Sequence, residues 1–204
     1  MALLLARTWE MTAGPGSSEM GNSRRRDVTV EFLKSQSALV VIDPWAHHPN
    51  EGWLARAGAN IPYLVRLIET FRRAGRPIFY DPTGLEMHPA VLSGWGPHDN
   101  LIPWDQSGGG TQDLNQRLIA NNVRTIFWGG YATNLCLMSK PSGFREMLKT
   151  DWDRQHIIVR DATVAFETEE TLAEQRLLDA AIYEVEYYPK GFSSTVEACE
   201  AAFS

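Results

Sequence analysis

Hydrophobic positions along the chain follow two alternating periods. Continuous apolar runs predict buried strands at 38–43, 77–81, 123–128 and 156–161. Apolar residues spaced three or four apart predict helices over 58–74, from 111, over 133–148, over 168–182 and over 193–203. The alternating segment 183–187 predicts a strand at the sheet edge. This order of elements predicts a three-layer α/β/α domain with a mostly parallel central sheet.

Two parts of the chain depart from this pattern. Residues 1–26 carry a short apolar start and then a stretch rich in Gly, Ser and Arg, which predicts a disordered extension. Met20 within it is a candidate second start. The segment 82–110 has no sustained period and predicts a long loop. The folded domain is therefore expected to span 27–204.

Composition narrows the class of protein. Of 204 residues, 44% are hydrophobic and 22% are charged, which is typical of one globular domain. The net charge of −6 disfavours nucleic-acid binding, and the basic run 24–26 is interpreted as a solvated tail. No apolar run approaches the ~20 residues of a membrane helix. Two cysteines are too few for a disulfide framework, so we expect a reduced, cytoplasmic setting.

Candidate chemistry lies where the strands end, because ligands of parallel sheets bind beyond the carboxyl ends of the strands. The segment 129–136 (GGYATNLC) follows a strand and leads into a helix. A cysteine at a helix N-terminus has a lowered pKa, and free N–H groups there can hold an oxyanion. Cys136 is therefore a candidate nucleophile, with a buried structural cysteine as the alternative. Asp43 ends the first strand and is a candidate base at the same edge.

Three motifs resemble the isochorismatase-like cysteine hydrolases, a family that includes nicotinamidases, N-carbamoyl amidases and isochorismatase. They are 40–43 (VVID), 130–137 (GYATNLCL) and 159–162 (VRDA). The resemblance covers about residues 36–190 and implies the isochorismatase-like hydrolase fold. It also implies an Asp–Lys–Cys triad with Cys136 as nucleophile and Asp43 as base. A cis peptide between Tyr131 and Ala132 is implied as well, with an oxyanion hole formed by the backbone N–H groups of Ala132 and Cys136.

The lysine of this triad has no counterpart at its expected position. In the family it precedes the helix that Thr111 opens here, and the matching position holds Trp104. No lysine occurs between Lys34 and Lys140. Lys140 follows Cys136 by four residues and is interpreted as a solvated helix residue rather than a substitute.

We therefore expect no lysine between Asp43 and Cys136. The residues 140–143 (KPSG) interrupt the helix that the family carries after its cysteine. The family is commonly oligomeric, and seven tryptophans favour a homodimer or homotetramer. A second copy could supply the missing cation, for example through Arg145.

Aromatic residues fall in segments that we expect to border the site, and they favour a small substrate with a flat or apolar part. The candidates for substrate binding are Trp45, Trp104 and Tyr131, with ordinary core packing as the alternative. Metal ligands in nicotinamidases come from the region that here contains Asp81, His88 and His98. Their spacing differs from that of the family, so we expect no metal and no cofactor.

Two functions remain open on these residues. The first is hydrolysis of a small amide, imide or carbamoyl-type C–N bond, with Cys136 attacking the carbonyl and Asp43 moving the proton. The second is a family member without amidase chemistry, either a non-catalytic binding protein or a vinyl-ether hydrolase that uses Asp43 alone. The missing lysine favours the second function. The retained Asp43, Cys136 and glycine turn favour the first, which we adopt as the hypothesis.

Overall fold

The computed structural model describes residues 1–11, 23–84, 86–103 and 109–204. Within these ranges eight strands form one sheet, in the order β2-β1-β8-β7-β6-β3-β4-β5. Neighbours from β8 to β5 run parallel, whereas β1 runs antiparallel to both β2 and β8. The strands are β1 (Ala2–Met11), β2 (Ser23–Phe32), β3 (Ser37–Ile42), β4 (Ile78–Asp81), β5 (Asp99–Leu101), β6 (Thr125–Tyr131), β7 (Gln155–Val164) and β8 (Gly191–Ser194).

Helices cover both faces of this sheet, as the sequence predicts. They are α1 (Glu51–Arg73), α2 (Pro89–Leu92), α3 (Gly109–Ala120), α4 (Phe144–Thr150), α5 (Arg176–Tyr187) and α6 (Val196–Phe203). One hydrophobic cluster joins α1 and α6 to the sheet, and a second joins α3, α4 and α5 to its other face. Every residue of β3 is buried, which explains its continuous apolar run. The three-layer α/β/α prediction is confirmed.

The N-terminal residues form a β-hairpin, so the prediction of a disordered extension over 1–26 is wrong for 2–11 and 23–26. β1 pairs with β2 along its whole length, from Ala2 opposite Phe32 to Met11 opposite Ser23. Its alternation has a physical basis, because Leu4 is fully buried while Leu3 and Leu5 are 61% and 64% exposed. Residues 12–22, which include Met20, lie outside the described residues.

The expected edge strand at 183–187 is instead the last part of α5. The alternation of polar and apolar residues in this segment does not reflect a strand. Glu186 is a polar residue that is buried in the helix as an ion pair with Arg7 and Arg25, at 2.7 Å from each. The strand occurs later, as β8, where it pairs with β7. The segment 82–110 also contains more structure than a loop, namely α2 and β5.

Two further boundaries differ from the expectation. The helix predicted over 58–74 begins earlier, at Glu51, where the Asn50 side chain accepts a hydrogen bond from the Trp53 N–H at 2.9 Å. The helix predicted over 133–148 is divided by the turn at 140–143 into a π-helical turn, Thr133–Leu137, and α4. No helix in the described ranges is both long enough and apolar enough to span a bilayer.

Candidate active site

Three chain segments meet at the carboxyl edge of the parallel strands. Asp43 follows β3, Asp81 ends β4, and Cys136 lies just beyond β6. β3 and β6 are neighbours, with Ile42 opposite Gly130. A Cβ at Gly130 would lie 2.0 Å from the Ile42 carbonyl oxygen, so only glycine permits this close approach. The sequence thus brings the candidate base and nucleophile to the same edge.

The backbone reverses direction after β6 without a cis peptide. The described residues contain no cis bond, so the expected cis peptide between Tyr131 and Ala132 is wrong. Left-handed backbone conformations make the turn instead, with φ of 112° at Gly130 and 51° at Ala132. The Ala132 carbonyl then accepts a hydrogen bond from the Leu135 N–H at 2.9 Å, at the start of the π-helical turn.

Cys136 lies in this π-helical turn and is half-buried between the two hydrophobic clusters. Burial raises the pKa of its thiol to about 12, and the negative charge of Asp43 adds to the rise. The positive charge of Lys140 acts in the opposite direction. The net rise is opposite to the expected lowering of the thiol pKa, because burial and the nearby carboxylate both disfavour the thiolate.

Lys140 lies in the centre of the site, contrary to the interpretation of this residue as a solvated helix residue. Its Nζ donates to Asp43 Oδ1 at 3.0 Å, to Asp81 Oδ1 at 2.9 Å and to the Asp81 carbonyl at 2.8 Å. The side chain is 8% exposed, and the two carboxylates are 0% and 2% exposed. The expectation that no lysine reaches Asp43 is wrong, and all three ammonium protons are committed.

The residues 140–143 form the turn that carries Lys140 into the site. The Lys140 N–H donates to the Cys136 carbonyl at 3.0 Å, and the Gly143 N–H donates back to the Lys140 carbonyl at 2.8 Å. A Cβ at Gly143 would lie 2.7 Å from the Leu137 carbonyl, so the turn depends on glycine. Ser142, at the tip, donates a hydrogen bond to Asp81 Oδ2. The turn that interrupts the helix therefore positions the Lys140 side chain in the site.

The two oxygens of Asp43 have different surroundings. Oδ1 accepts hydrogen bonds from the Thr83 N–H at 2.7 Å, from Thr83 Oγ1 at 2.6 Å and from Lys140. Oδ2 is buried and accepts no hydrogen bond from the described residues. Sequence reasoning did not identify Thr83, which lies two residues beyond β4. Hydrogen bonds therefore fix the carboxylate through one oxygen and leave the other without a donor among the described residues.

A second carboxylate shares the ammonium. Asp81 contacts both Lys140 and Ser142, and burial raises the pKa of its carboxyl group although Lys140 opposes the rise. Two buried carboxylates around one ammonium leave an excess negative charge when both are ionised. This cluster can hold a proton, which is a property that acid–base catalysis uses.

Several solved structures of other proteins share the fold of this chain. No family model matches the sequence, and no curated protein matches it. An isochorismatase family protein from Burkholderia thailandensis superposes with a TM-score of 0.60 at 21% identity, over 84% of this chain and 97% of that one. A cysteine hydrolase from Pseudomonas syringae gives 0.61 at 16% identity, over 84% and 95% of the two chains. The chain has the isochorismatase-like fold.

Proteins of different activity share the isochorismatase-like fold. A nicotinamidase from Staphylococcus aureus matches with a TM-score of 0.57 at 14% identity, over 79% of this chain and 99% of that one. The MAR1 ribonuclease from Caenorhabditis elegans matches with 0.59 at 15% identity, over 85% and 84%. Function therefore has to be argued from the site residues of this chain.

Two of the three aromatic candidates for substrate binding, Trp45 and Tyr131, are buried in the core. Trp45 and Tyr131 are buried against Trp53, with ring centroids 5.7 Å from it in each case. The Tyr131 hydroxyl donates to the Ala57 carbonyl at 2.9 Å, so this side chain is fixed by the core. Trp104 lies outside the described residues, and its role stays a prediction.

The residues considered for a metal are separated in the structure. Asp81 is committed to Lys140 and Ser142, whereas His88 Nδ1 accepts the Ala90 N–H at the start of α2. In the described part of the chain, no group of three His, Cys, Asp or Glu side chains could hold a metal ion. Arg145 is paired with Glu184 at 2.6 Å on the surface of its own chain.

Proposed function

We propose that the chain is a cysteine hydrolase that cleaves a small amide, imide or carbamoyl-type C–N bond. The observation that carries this proposal is the contact between Lys140 and Asp43 beside Cys136. A nucleophile, a carboxylate and a cation together form the set that the resemblance to isochorismatase-like cysteine hydrolases calls for. The lysine comes from the turn after the cysteine rather than from the segment before α3.

The reaction begins with attack of Cys136 Sγ on the substrate carbonyl. Because the pKa of the thiol is about 12, a free thiolate is scarce at neutral pH and the proton leaves as the C–S bond forms. Asp43 Oδ2, which has no partner among the described residues, is the acceptor. We assign the developing oxyanion to the N–H groups of Ala132 and Cys136.

The second half of the reaction returns the proton. Asp43 protonates the departing nitrogen as the C–N bond breaks, which leaves a thioester on Cys136. Asp43 then removes a proton from a water molecule that attacks the thioester. The carboxylic acid product leaves and the thiol is restored. Each step uses the same carboxylate oxygen, so its orientation decides the rate.

Lys140 supports the reaction without touching the substrate in this scheme. Its positive charge stabilises the negative charge of Asp43 and holds Oδ1, which leaves Oδ2 as the oxygen that takes up the proton in this scheme. Asp81 and Ser142 are positioning residues, because they hold the ammonium and the turn that carries it. The non-catalytic and Asp43-only alternatives rested on a missing cation, and Lys140 removes that reason.

The test is ammonia release from primary amides and N-carbamoyl amino acids, together with the mass increase of one water molecule that ring opening gives for cyclic imides, which release no ammonia. We expect the wild-type protein to hydrolyse at least one class and Cys136→Ser to be inactive. Lys140→Met should lower kcat/KM by at least about 100-fold, in the range that loss of one electrostatic group produces. The matched control is Lys149→Met, because Lys149 is exposed and pairs with Glu146 on α4. Full activity of Lys140→Met would contradict the proposal.

A further inference from the structure

A cavity separate from Cys136 lies between α1, the end of β7 and the segment that leads into α5. Its volume is about 430 Å³, and neither Asp43 nor Cys136 lines it. Arg56, Asn60 and Tyr63 from one face of α1 form one wall, and Arg160 from β7 forms another. The cavity has walls on three sides and an open mouth, as small-molecule sites do.

Neither arginine of this cavity forms a close ion pair with a described residue. Arg160 is half-buried and donates to Ser193 Oγ at 3.0 Å, but no carboxylate of the described residues lies within ion-pair distance of it. Burial lowers the pKa of its guanidinium and nearby Arg7 adds to this effect, whereas the charges of Asp161, Glu186 and Asp27 oppose it. Arg56 donates only to the Gly52 carbonyl, at 3.4 Å, within the described chain. A half-buried, unpaired cation is costly to maintain unless something compensates it.

The two carboxylates in the wall are already engaged by backbone donors. Both oxygens of Asp161 accept from the Val196 N–H, at 2.9 and 3.2 Å. Glu167 accepts from the N–H groups of Leu177 and Leu178, at 3.1 and 2.8 Å, at the start of α5. Because backbone N–H groups already engage these two acids, most guanidinium N–H donors of the cavity stay available for a ligand.

One acceptor in the cavity wall has no donor. Asn60 Nδ2 donates to the Asp161 carbonyl at 2.6 Å, which identifies the other amide atom as oxygen. That oxygen, Oδ1, is buried and has no hydrogen-bond partner in the described ranges. A buried polar atom of this kind usually has a partner, so its lack of one points to a ligand that supplies a donor.

We propose that this cavity binds a small organic carboxylate that also carries an O–H or N–H donor. Arg56 and Arg160 pair with the carboxylate, since guanidinium donors match its two oxygens. Asn60 Oδ1 accepts the ligand's donor. Val164 and Leu172 supply apolar surface for its body. The site is independent of the hydrolytic reaction, and the cavity contains no nucleophile that the proposed function uses.

The test uses 4-hydroxybenzoate as probe and isothermal titration of the full-length Cys136→Ser protein, which cannot turn it over. We expect a Kd below about 1 mM, which is reasonable for about ten heavy atoms. Arg56→Gln and Arg160→Gln should each weaken binding at least about tenfold. Arg66→Gln is the matched control, because Arg66 is also on α1 but pairs with Glu200 outside the cavity.

Two analogues separate the contributions of the ligand. The neutral 4-hydroxybenzamide should bind at least about tenfold more weakly, because it lacks the charge that the arginines recognise. Benzoate, which lacks the hydroxyl donor for Asn60, should bind several-fold more weakly. Absence of binding at 10 mM probe would overturn the proposal. Equal binding of acid and amide, or unchanged affinity in both arginine variants, would overturn it too.

Discussion

The raised pKa of Cys136 predicts that replacing Asp43 speeds alkylation of the Cys136 thiol while it abolishes hydrolysis. At pH 8, a thiol with a pKa of about 12 is ionised in about one molecule in ten thousand. Burial is the largest cause of this shift and the charge of Asp43 is the next. Replacing Asp43 by Asn removes the charge, keeps the shape and leaves most of the burial in place.

We assign about one pKa unit to that charge in this partly solvated turn, which corresponds to about a tenfold larger thiolate fraction. Asp43→Asn should therefore react with iodoacetamide about ten times faster than the wild-type protein at pH 8, while hydrolysis is lost. In the wild-type protein, the labelling rate should also rise about tenfold per pH unit between pH 7 and 10, since these pH values lie well below the pKa of the thiol.

The assay is peptide mass spectrometry of time points, which follows Cys136 and Cys199 separately. Cys199 is fully buried in α6, so its slow labelling measures unfolding in every sample. Asp113→Asn is the control, because Asp113 pairs with Arg117 on α3 far from the thiol in the chain. An Asp43→Asn variant that labels no faster than the wild-type protein would refute the electrostatic reasoning.

Three further outcomes are expected. Gly143→Ala places a Cβ 2.7 Å from the Leu137 carbonyl oxygen, so it should displace the turn that carries Lys140. Urea unfolding should show a loss of about 1–3 kcal/mol in stability, and the amide assay should show a lower kcat. Glu186→Gln removes the buried carboxylate that pairs with Arg7 and Arg25, and it should lower the free energy of unfolding by about 3–5 kcal/mol. An unchanged unfolding midpoint would contradict the inference that these ion pairs attach the N-terminal hairpin to α5. Light scattering at micromolar concentration should give the mass of a homodimer or homotetramer, and a monomeric mass would refute the expected assembly.

The sequence could predict the parts of the site that depend on residues close to one another in the chain. The apolar run before Asp43 identifies a strand buried on both faces, and the parallel order of strands then puts this aspartate beside the turn that holds Cys136. Gly130 is required by its contact with Ile42, and its place between a strand and a helix is visible in the sequence. These features depend on neighbours in the chain or on simple sheet order.

Lys140 was missed because its partners are distant in sequence. It contacts Asp43 across 97 positions and Asp81 across 59. On a helical pattern, a lysine is normally assigned to the surface, and the turn that redirects this one contains Pro141, one position away, and Gly143, three positions away. The signal that could have found it is the combination of a KPSG turn after the cysteine with the absence of any lysine between Lys34 and Lys140.

The N-terminal hairpin was missed for a related reason. The 1–11 segment is short, and its Arg7 pairs with the buried Glu186, a carboxylate that sequence patterns assign to solvent. Burial of Glu186 also gives α5 an alternating pattern typical of a strand. In both regions the error comes from a buried charge whose partner lies far away in the chain.

The central claim is that Cys136 forms a thioester intermediate through Asp43 and Lys140. Rapid-quench mass spectrometry of the wild-type protein with a hydrolysed amide should show a mass increase equal to the acyl group on the peptide that contains Cys136. The adduct should be at least about 100-fold slower to form in Lys140→Met and unchanged in Lys149→Met. Turnover of the amide without any adduct on Cys136, or an adduct that forms at the wild-type rate in Lys140→Met, would contradict the claim.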